Sequence, residues 1–281
     1  ETSYILKDRF QASSTNPDQS GSFKFKTILS PKFGLSHLFS ENISIFSSIS
    51  HGFSPISLQE TLLPDGQINT NLKPETGWNF EVGTRGSVLN NLLQFNVAIY
   101  RLDIKNLLVS RRTAQDEFIG INAGRTQHDG LEIALNYRWF ENKNLSLSSF
   151  VNYTLNNFIF KEFIDLTGVP SDIFNAGIDF DSAFGLYGNI NFQYVGRMPI
   201  TDANSLYSDS YKLTNIKIGY KTNLNKKLKL NTFLGVNNIF EEVYASQILI
   251  NTSGFGGSAP RYYYPGNPIN YFTGINLNYV F

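Results

Sequence analysis

Hydrophobic and polar residues alternate with a period of two along most of the chain. From Tyr271 onward, odd positions give Tyr271, Thr273, Ile275, Leu277, Tyr279 and Phe281. Even positions give Phe272, Gly274, Asn276, Asn278 and Val280. The same rhythm sets Leu131, Ile133, Leu135, Tyr137 and Trp139 against Glu132, Ala134, Asn136 and Arg138. It also sets Leu228, Leu230, Thr232, Leu234 and Val236 against Lys229, Asn231, Phe233, Gly235 and Asn237. Side chains of a strand point alternately to its two faces, so this period predicts sheets with one apolar face. Twelve strands are expected, at 3–11, 23–38, 43–53, 75–87, 92–109, 119–139, 145–160, 173–181, 186–197, 210–222, 228–243 and 269–281. No stretch has a convincing helical period.

Alternation alone fits any half-buried sheet, including a soluble sandwich. Two features favour a membrane-spanning barrel. Several strands are long: 23–38, 92–109 and 119–139 each read as one strand, whereas soluble strands usually have about five or six residues and a tilted spanning strand needs roughly 9–11. The connections also alternate between short and long. Short polar turns fall at Ser40–Asn42, Val88–Asn91, Glu141–Asn144, Ser182–Gly185 and Asn223–Lys227, and long segments at 12–22, 54–74, 110–118, 161–171, 198–209 and 244–267. Outer-membrane barrels join strands by short periplasmic turns and longer extracellular loops. Parity then puts the last strand's end on the periplasmic side.

Composition narrows this further. Charged residues make up 16% of the 281 residues, aromatic residues 15%, and the formal net charge is zero. A neutral chain has no field drawing it to nucleic acid. The absence of cysteine excludes disulfides, thiolate zinc sites and thiol nucleophiles. No run approaches the roughly 18 apolar residues of a membrane helix. No signal peptide opens the chain, so an exported protein with this sequence is expected to be either a mature form or a portion of a longer one, and the barrel reading favours a portion.

The apolar parity carries rings near strand ends: Tyr137, Trp139, Tyr153, Tyr194, Tyr220, Tyr279 and Phe281. Such rings suit the headgroup level of a bilayer, although sheet-core aromatics would look similar. The polar parity carries Glu81, Arg85, Glu132, Arg138, Asp179, Asp181, Arg197, Lys217 and Lys221, as a polar lumen or a surface facing a plug requires. His37, His51 and His128 lie on separate strands without metal-ligand spacing, and His51, near a loop-side strand end, reads first as an ordinary surface or lumen histidine and second as a contact for haem or a chelated metal. No catalytic motif or paired-carboxylate constellation stands out, so neither catalytic residues, a metal site nor a cofactor is expected.

Three motifs occur in order. Leu72-Lys73-Pro74-Glu75-Thr76 precedes Phe80-Glu81-Val82-Gly83; Ile121-Asn122-Ala123-Gly124 precedes Gly130-Leu131-Glu132-Ile133; Gly235-Val236-Asn237-Asn238-Ile239-Phe240 precedes Tyr244-Ala245-Ser246. With the terminal Phe281, this set resembles the barrel portion of TonB-dependent outer-membrane receptors, in the branch that imports ferric siderophores and other iron complexes. The resemblance implies a plugged barrel of about 22 strands, of which residues 1–281 would be the C-terminal portion of about 12, without the plug and N-terminal strands. It implies uptake energised by the TonB complex through the missing N-terminal region, contact with outer-membrane lipid, and recognition of the last strand by the barrel-assembly machinery, with Phe281 as the assembly signal. The motifs themselves read as scaffold: Pro74 suits a strand entrance, and Gly124 and Gly130 a bend or close packing. Haem, cobalamin, nickel or a glycan are alternative cargoes. A self-contained barrel enzyme or adhesin of about twelve strands is the alternative from another class.

Ligand capture is expected at the long loops. Arg111 and Arg112 adjoin 113–118, and Arg261 precedes Tyr262, Tyr263 and Tyr264. Guanidinium supplies fixed charge and planar donors, and tyrosine supplies area with a polar tip. Arg111, Arg112, Arg261 and Tyr263 are the candidate contacts for an anionic, aromatic-bearing metal chelate; the rival reading of 261–266 is an interfacial aromatic belt followed by a turn.

Overall fold

A computed structural model describes residues 3–6, 21–24, 27–61, 63, 69–114, 117–160, 164–252, 254 and 257–279. Its centre is one antiparallel sheet of 11 strands. In chain order these are β3 (Lys32–Ser40), β4 (Ile43–Ser54), β5 (Glu75–Val88), β6 (Leu93–Lys105), β9 (Arg125–Glu141), β10 (Leu145–Phe160), β11 (Asp172–Ser182), β12 (Leu186–Val195), β13 (Tyr211–Asn223), β14 (Leu228–Asn237) and β17 (Asn270–Tyr279). Each pairs with the next, so the sheet is an uninterrupted meander with β3 and β17 at its edges. Three small hairpins complete the described strands: β1 (Ser3–Leu6) with β2 (Gly21–Lys24), β7 (Leu108–Ala114) with β8 (Glu117–Asn122), and β15 (Ala245–Ile248) with β16 (Tyr263–Pro265). The one described helix, α1 (Leu58–Thr61), is a single turn closed by a capping box, Ser57 N–H donating to Glu60 Oε2 at 2.7 Å and Glu60 N–H to Ser57 Oγ at 3.3 Å.

Short turns and long loops fall on opposite ends of the sheet as expected, and the strand expected at 145–160 is β10 without change. Three expected long strands are interrupted. The 119–139 stretch is β8 and β9, divided at Gly124, whose φ of 109° is left-handed backbone that glycine adopts freely. The 92–109 stretch breaks after β6 at Asn106, φ 59°, from which β7 and β8 rise as a hairpin above the sheet. The 23–38 stretch loses regular pairing over 27–31, with Pro31 just before β3. The expected 228–243 strand ends at Asn237, because Asn238 turns with φ 51°. Of the expected 3–11 strand, residues 7–11 lie outside the described residues, as do the terminal Val280 and Phe281.

Register confirms the two faces. Leu131 lies opposite Ile99 and Leu155, Ile99 opposite Val82, and Leu135 opposite Val151. At the other end Leu230 meets Leu277 and Leu228 meets Tyr279. The intervening row adjoins Glu132 to Ala98 and Thr154, and Asn231 to Lys221 and Asn276. The apolar face is open: Ile99 is 60% exposed, Leu234 51% and Ile275 70%, while the only hydrophobic side chains buried among the described residues are Ile56, Leu72, Ala98 and Ile200. A soluble domain puts its aliphatics in a core and rarely exposes a large contiguous apolar patch. Here the aliphatics form the outside of a wall. The ten residue steps from Val88 to Trp78 on β5 cover about 33 Å along a strand, and a tilt near 40° reduces that to about the 25 Å of an outer-membrane apolar band. Trp78 against His51, with ring centroids 5.0 Å apart, marks one rim of this band, and Tyr137 against Trp139, at 4.6 Å, the other.

The opposite face is flattened by rings lying over glycines. Tyr100 covers Gly130, Phe46 covers Gly83, Tyr187 covers Gly219 and Phe233 covers Gly274, so a Cβ at any of these glycines would fall inside a neighbouring ring. Three of the rings also carry a cation: Arg85 Cζ is 5.5 Å from the Phe46 centroid, Lys217 Nζ 4.4 Å from Phe233, and Lys221 Nζ 5.5 Å from Tyr187. Stacking a glycine, a ring and a cation keeps the polar face smooth while satisfying its charges.

Candidate functional site

The loop end divides into a clamp on the β5–β9 side and an open cleft above β10–β13. In the clamp, two of the sequence motifs are one junction. Lys73 N–H donates to Asn122 Oδ1 at 2.9 Å, and Asn122 Nδ2 donates to the Lys73 carbonyl at 2.8 Å and the Asn106 carbonyl at 2.9 Å. Glu75 Oε1 accepts from Leu108 N–H at 2.6 Å. Ile56 and Leu72 bury against Leu108 beneath. Every polar group named in this junction is engaged in holding the β7–β8 hairpin to the loop before β5. The third motif is also scaffold: Asn238, buried, donates through Nδ2 to the carbonyls of Glu242 at 2.9 Å and Asn267 at 3.2 Å, and its Oδ1 accepts from Glu242 N–H at 2.8 Å.

The cleft is built differently. Three loops, between β10 and β11, β12 and β13, and β14 and β17, are cross-tied around Asp202. Its Oδ1 accepts from Thr167 Oγ1 at 2.8 Å and Asn251 Nδ2 at 2.9 Å, and its N–H donates to Asn251 Oδ1 at 2.9 Å. Asn204 and Asp165 close a second tie, Asp165 N–H donating to Asn204 Oδ1 at 2.8 Å and Asn204 Nδ2 to the Asp165 carbonyl at 3.0 Å. Fully buried Ile200 sits among them. Beneath these ties is a cleft of about 510 Å³ lined by Asn156, Phe158, Asp165, Arg197, Pro199 and Tyr207, among others. The Arg197 guanidinium stacks on the Tyr207 ring at 5.1 Å and has no ion-pair partner among the described residues. Tyr207 Oη donates to Asp165 Oδ2 at 3.2 Å. Desolvation, then the Asp165 carboxylate, push the Tyr207 phenol above its usual range, with Arg197 partly opposing. Tyr207 is therefore a neutral donor at neutral pH. An exposed guanidinium held over an aromatic ring, with amide side chains beside it, is suited to an anionic, planar or carbonyl-rich ligand.

The expected capture residues are spread more widely. Arg111 and Arg112 are in β7, opposite Ile119 and Phe118, and their side chains lie outside the described residues. Arg261 is exposed and Tyr263, half-exposed, is in β16, its ring 6.3 Å from that of Tyr262. The hairpins bearing them rise from the β6–β9 and β14–β17 pairs, with four strands between these pairs in the sheet, and no described hydrogen bond, ion pair or ring contact joins them. Phe281 lies outside the described residues. His51 is not on the lumen side: its Nδ1 is 2.8 Å from the Leu29 carbonyl oxygen and its ring packs on Trp78, in the apolar row. Tyr207, Asp165, Asp202 and Asn251 were not singled out from the sequence. Arg197 was, as a polar-parity charge, but the non-alternating loop after it gives no sign of which ring it meets.

A long meander with an apolar outer face, a polar inner face, short turns at one end and tied loops over a cleft at the other defines the wall of a membrane receptor barrel. The chain belongs to the family described as TonB dependent receptor-like, beta-barrel, which matches residues 6–239. This is a family of transport receptors of the Gram-negative outer membrane. The chain is 26% identical over 190 residues to the ferrioxamine receptor of Yersinia enterocolitica, covering 66% of this chain and 25% of that protein. It is 22% identical over 222 residues to the catecholate siderophore receptor Fiu of Escherichia coli K12, covering 75% and 27%. The crystal structure of the siderophore receptor PiuA from Acinetobacter baumannii superposes with a TM-score of 0.70 at 20% identity, covering 95% of this chain and 38% of that one. The chain thus spans about a quarter of the length of the curated relatives it matches.

Proposed function

We propose that this chain is one wall of an outer-membrane receptor that takes up a ferric siderophore or other iron chelate using energy delivered by TonB. The observation that carries the reading is the Arg197–Tyr207 stack, an unpaired cation on an aromatic platform in a cleft at the loop end. Family membership and relatives named for siderophore reception support the cargo class. In this reading residues 1–281 are the C-terminal portion of the barrel. Edges β3 and β17 each have one neighbour among the described residues, and further strands of the same barrel would cover them. The smooth inner face fits against a plug, a TonB-contacting segment lies on the N-terminal region, and the last strand with Phe281 is read by the assembly machinery. The receptor passes its cargo without transforming it.

Capture begins at Arg197 and Tyr207, with Arg111, Arg112, Arg261 and Tyr263 contributing from the flanking hairpins. The test uses the full-length receptor in cells lacking other iron-chelate receptors, with radio-iron supplied as a catecholate and as a hydroxamate complex. One of the two should be accumulated in a TonB-dependent manner, and Arg197→Ala should weaken its binding about tenfold, the loss of about 1.4 kcal/mol, with barrel amount unchanged. Unchanged binding in Arg197→Ala would remove the cleft from the capture site. No receptor-dependent accumulation of either complex would overturn the cargo class.

A further inference from the structure

Below the cleft the inner wall carries a lane of uncharged amides. Asn156, Ser171 and Arg197, which line the cleft, stand four residues loopward of Asn152 on β10, Asn175 on β11 and Gln193 on β12. An even spacing keeps all six on one face, with about 13 Å along each strand between the two sets. Asn152 is the register partner of Asn175, and Asn175 of Gln193, so three amides stand side by side across about 10 Å. The next row towards the short turns is Phe150, Gly177 and Asn191. A Cβ at Gly177 would fall against the Phe150 ring and Asn191 Oδ1, so ring and amide both lie over the glycine. Phe150 also partners Asn136, and Asn136 partners Gln94. With Arg138, Ser148 and Asp179, these three line a second depression, of about 400 Å³, at the short-turn end. The rows on either side carry the charges, Glu132 beside Thr154 above and Asp179, Asn189 and Lys217 below. The lane's amides also differ from the scaffold's. Asn122, Asn204, Asn238 and Asn251 each tie parts of the chain together, whereas the side chains of Asn152, Asn175, Gln193, Asn136 and Gln94 make no hydrogen bond among the described residues.

We propose that this lane on β9–β12 is the path by which the iron chelate leaves the cleft, passed from amide to amide down the wall to the depression at the short-turn end. The inference rests on the proposed function and names the route of its cargo. Passage requires sites attractive enough to enter and weak enough to leave. An amide offers donors and an acceptor to the oxygens of a catecholate or hydroxamate, without a fixed charge that would hold or repel the complex at one level. Arg197 provides the fixed charge only at the top, where the cargo is captured, and the amides below it provide many equivalent weak contacts.

The test uses the full-length receptor in cells and the radio-iron complex, catecholate or hydroxamate, that wild type accumulates. Binding is read in cells lacking TonB and initial uptake rate in energised cells, with heat-modifiable gel mobility to check that each variant is folded. Asn152→Asp/Asn175→Asp puts two charges on the lane. It should slow uptake at least tenfold with binding within twofold of wild type, because an added charge repels the complex or holds it, according to its sign. Asn175→Asp alone should fall between, and carries the test if the double variant does not insert. Asn152→Ser/Asn175→Ser, polar and uncharged, should keep uptake within threefold. Asn231→Asp/Asn276→Asp charges another pair of register partners, off the lane, and should leave uptake within twofold. Unchanged uptake in the charged lane variants, or equal slowing by the off-lane pair, would overturn the lane and leave the proposed function standing. Slowing matched by an equal loss of binding would put Asn152 and Asn175 in the capture site and overturn it too. Wild type that accumulates neither complex would overturn the proposed function and the lane with it.

Discussion

The two faces of the sheet are one residue apart along every strand and obey opposite rules. The outer face is rows of aliphatics left exposed by the other described residues, Ile99 to Leu131 to Leu155, ending in rings and charges at its rims. Its demand on sequence is hydropathy and height, so one aliphatic serves as well as another. The inner face is made of matched parts: Tyr100 needs Gly130 beneath it, and Lys221 needs the Tyr187 ring and the Asp181 carboxylate beside it. Its demand is for particular residues in register. A membrane wall is thus forgiving outside and exacting inside, the reverse of a soluble sheet packed on its core.

The largest break in this comparison should come from charge. Leu135→Arg, near the middle of the outer row, should destabilise the folded full-length barrel by about 2–4 kcal/mol, read by denaturant titration in bilayers. Asn136→Arg, its neighbour on the inner face, should cost under about 1 kcal/mol. Similar losses at both positions would mean that the faces do not differ as described. Next is fit: Gly130→Val should displace the Tyr100 ring at a cost of about 1–3 kcal/mol, and Tyr100→Ala in the same chain should recover part of it. An additive double mutant would show that ring and glycine are uncoupled.

Two smaller effects sharpen the contrast. Asn122→Ala removes the reciprocal bonds to Lys73 and should expose the Lys73 amide to hydrogen exchange, with a stability loss of about 1–3 kcal/mol for the polar groups left unpaired. An amide exchanging at the wild-type rate would show that the two motifs are not joined there. The least should come from Lys221→Ala. Its pair with Asp181 is half-exposed, and such pairs contribute about 0–1 kcal/mol, so the effect should shrink further in high salt.

The outer face was legible in the sequence because hydropathy and period are local quantities: the 131–139 and 228–236 rows could be assigned without knowing their neighbours. The inner face was not, because its logic is register. Nothing in Gly130 names Tyr100, thirty residues earlier, as its cover. Strand limits failed where alternation continues through a break, as at Asn106 and Gly124, since β7 and β8 keep the rhythm of the strands below them. The cleft was not legible for a third reason. Arg111, Arg112, Arg261 and Tyr263 were chosen for composition within long loops, whereas the Arg197–Tyr207 stack and the Asp202–Asn251 tie depend on how three loops fold onto one another.

The most direct test of the wall itself uses the absence of cysteine from residues 1–281, with any cysteine elsewhere in the full-length receptor replaced by serine. Single cysteines placed in turn at 131 to 136 of the full-length receptor, spin-labelled in bilayers, report oxygen against a water-soluble nickel chelate. Labels at 131, 133 and 135 should be relaxed by oxygen, and labels at 132, 134 and 136 should be shielded from it, so that accessibility oscillates with period two. A flat profile, or an oscillation of the opposite phase, would contradict a sheet whose leucine row faces lipid.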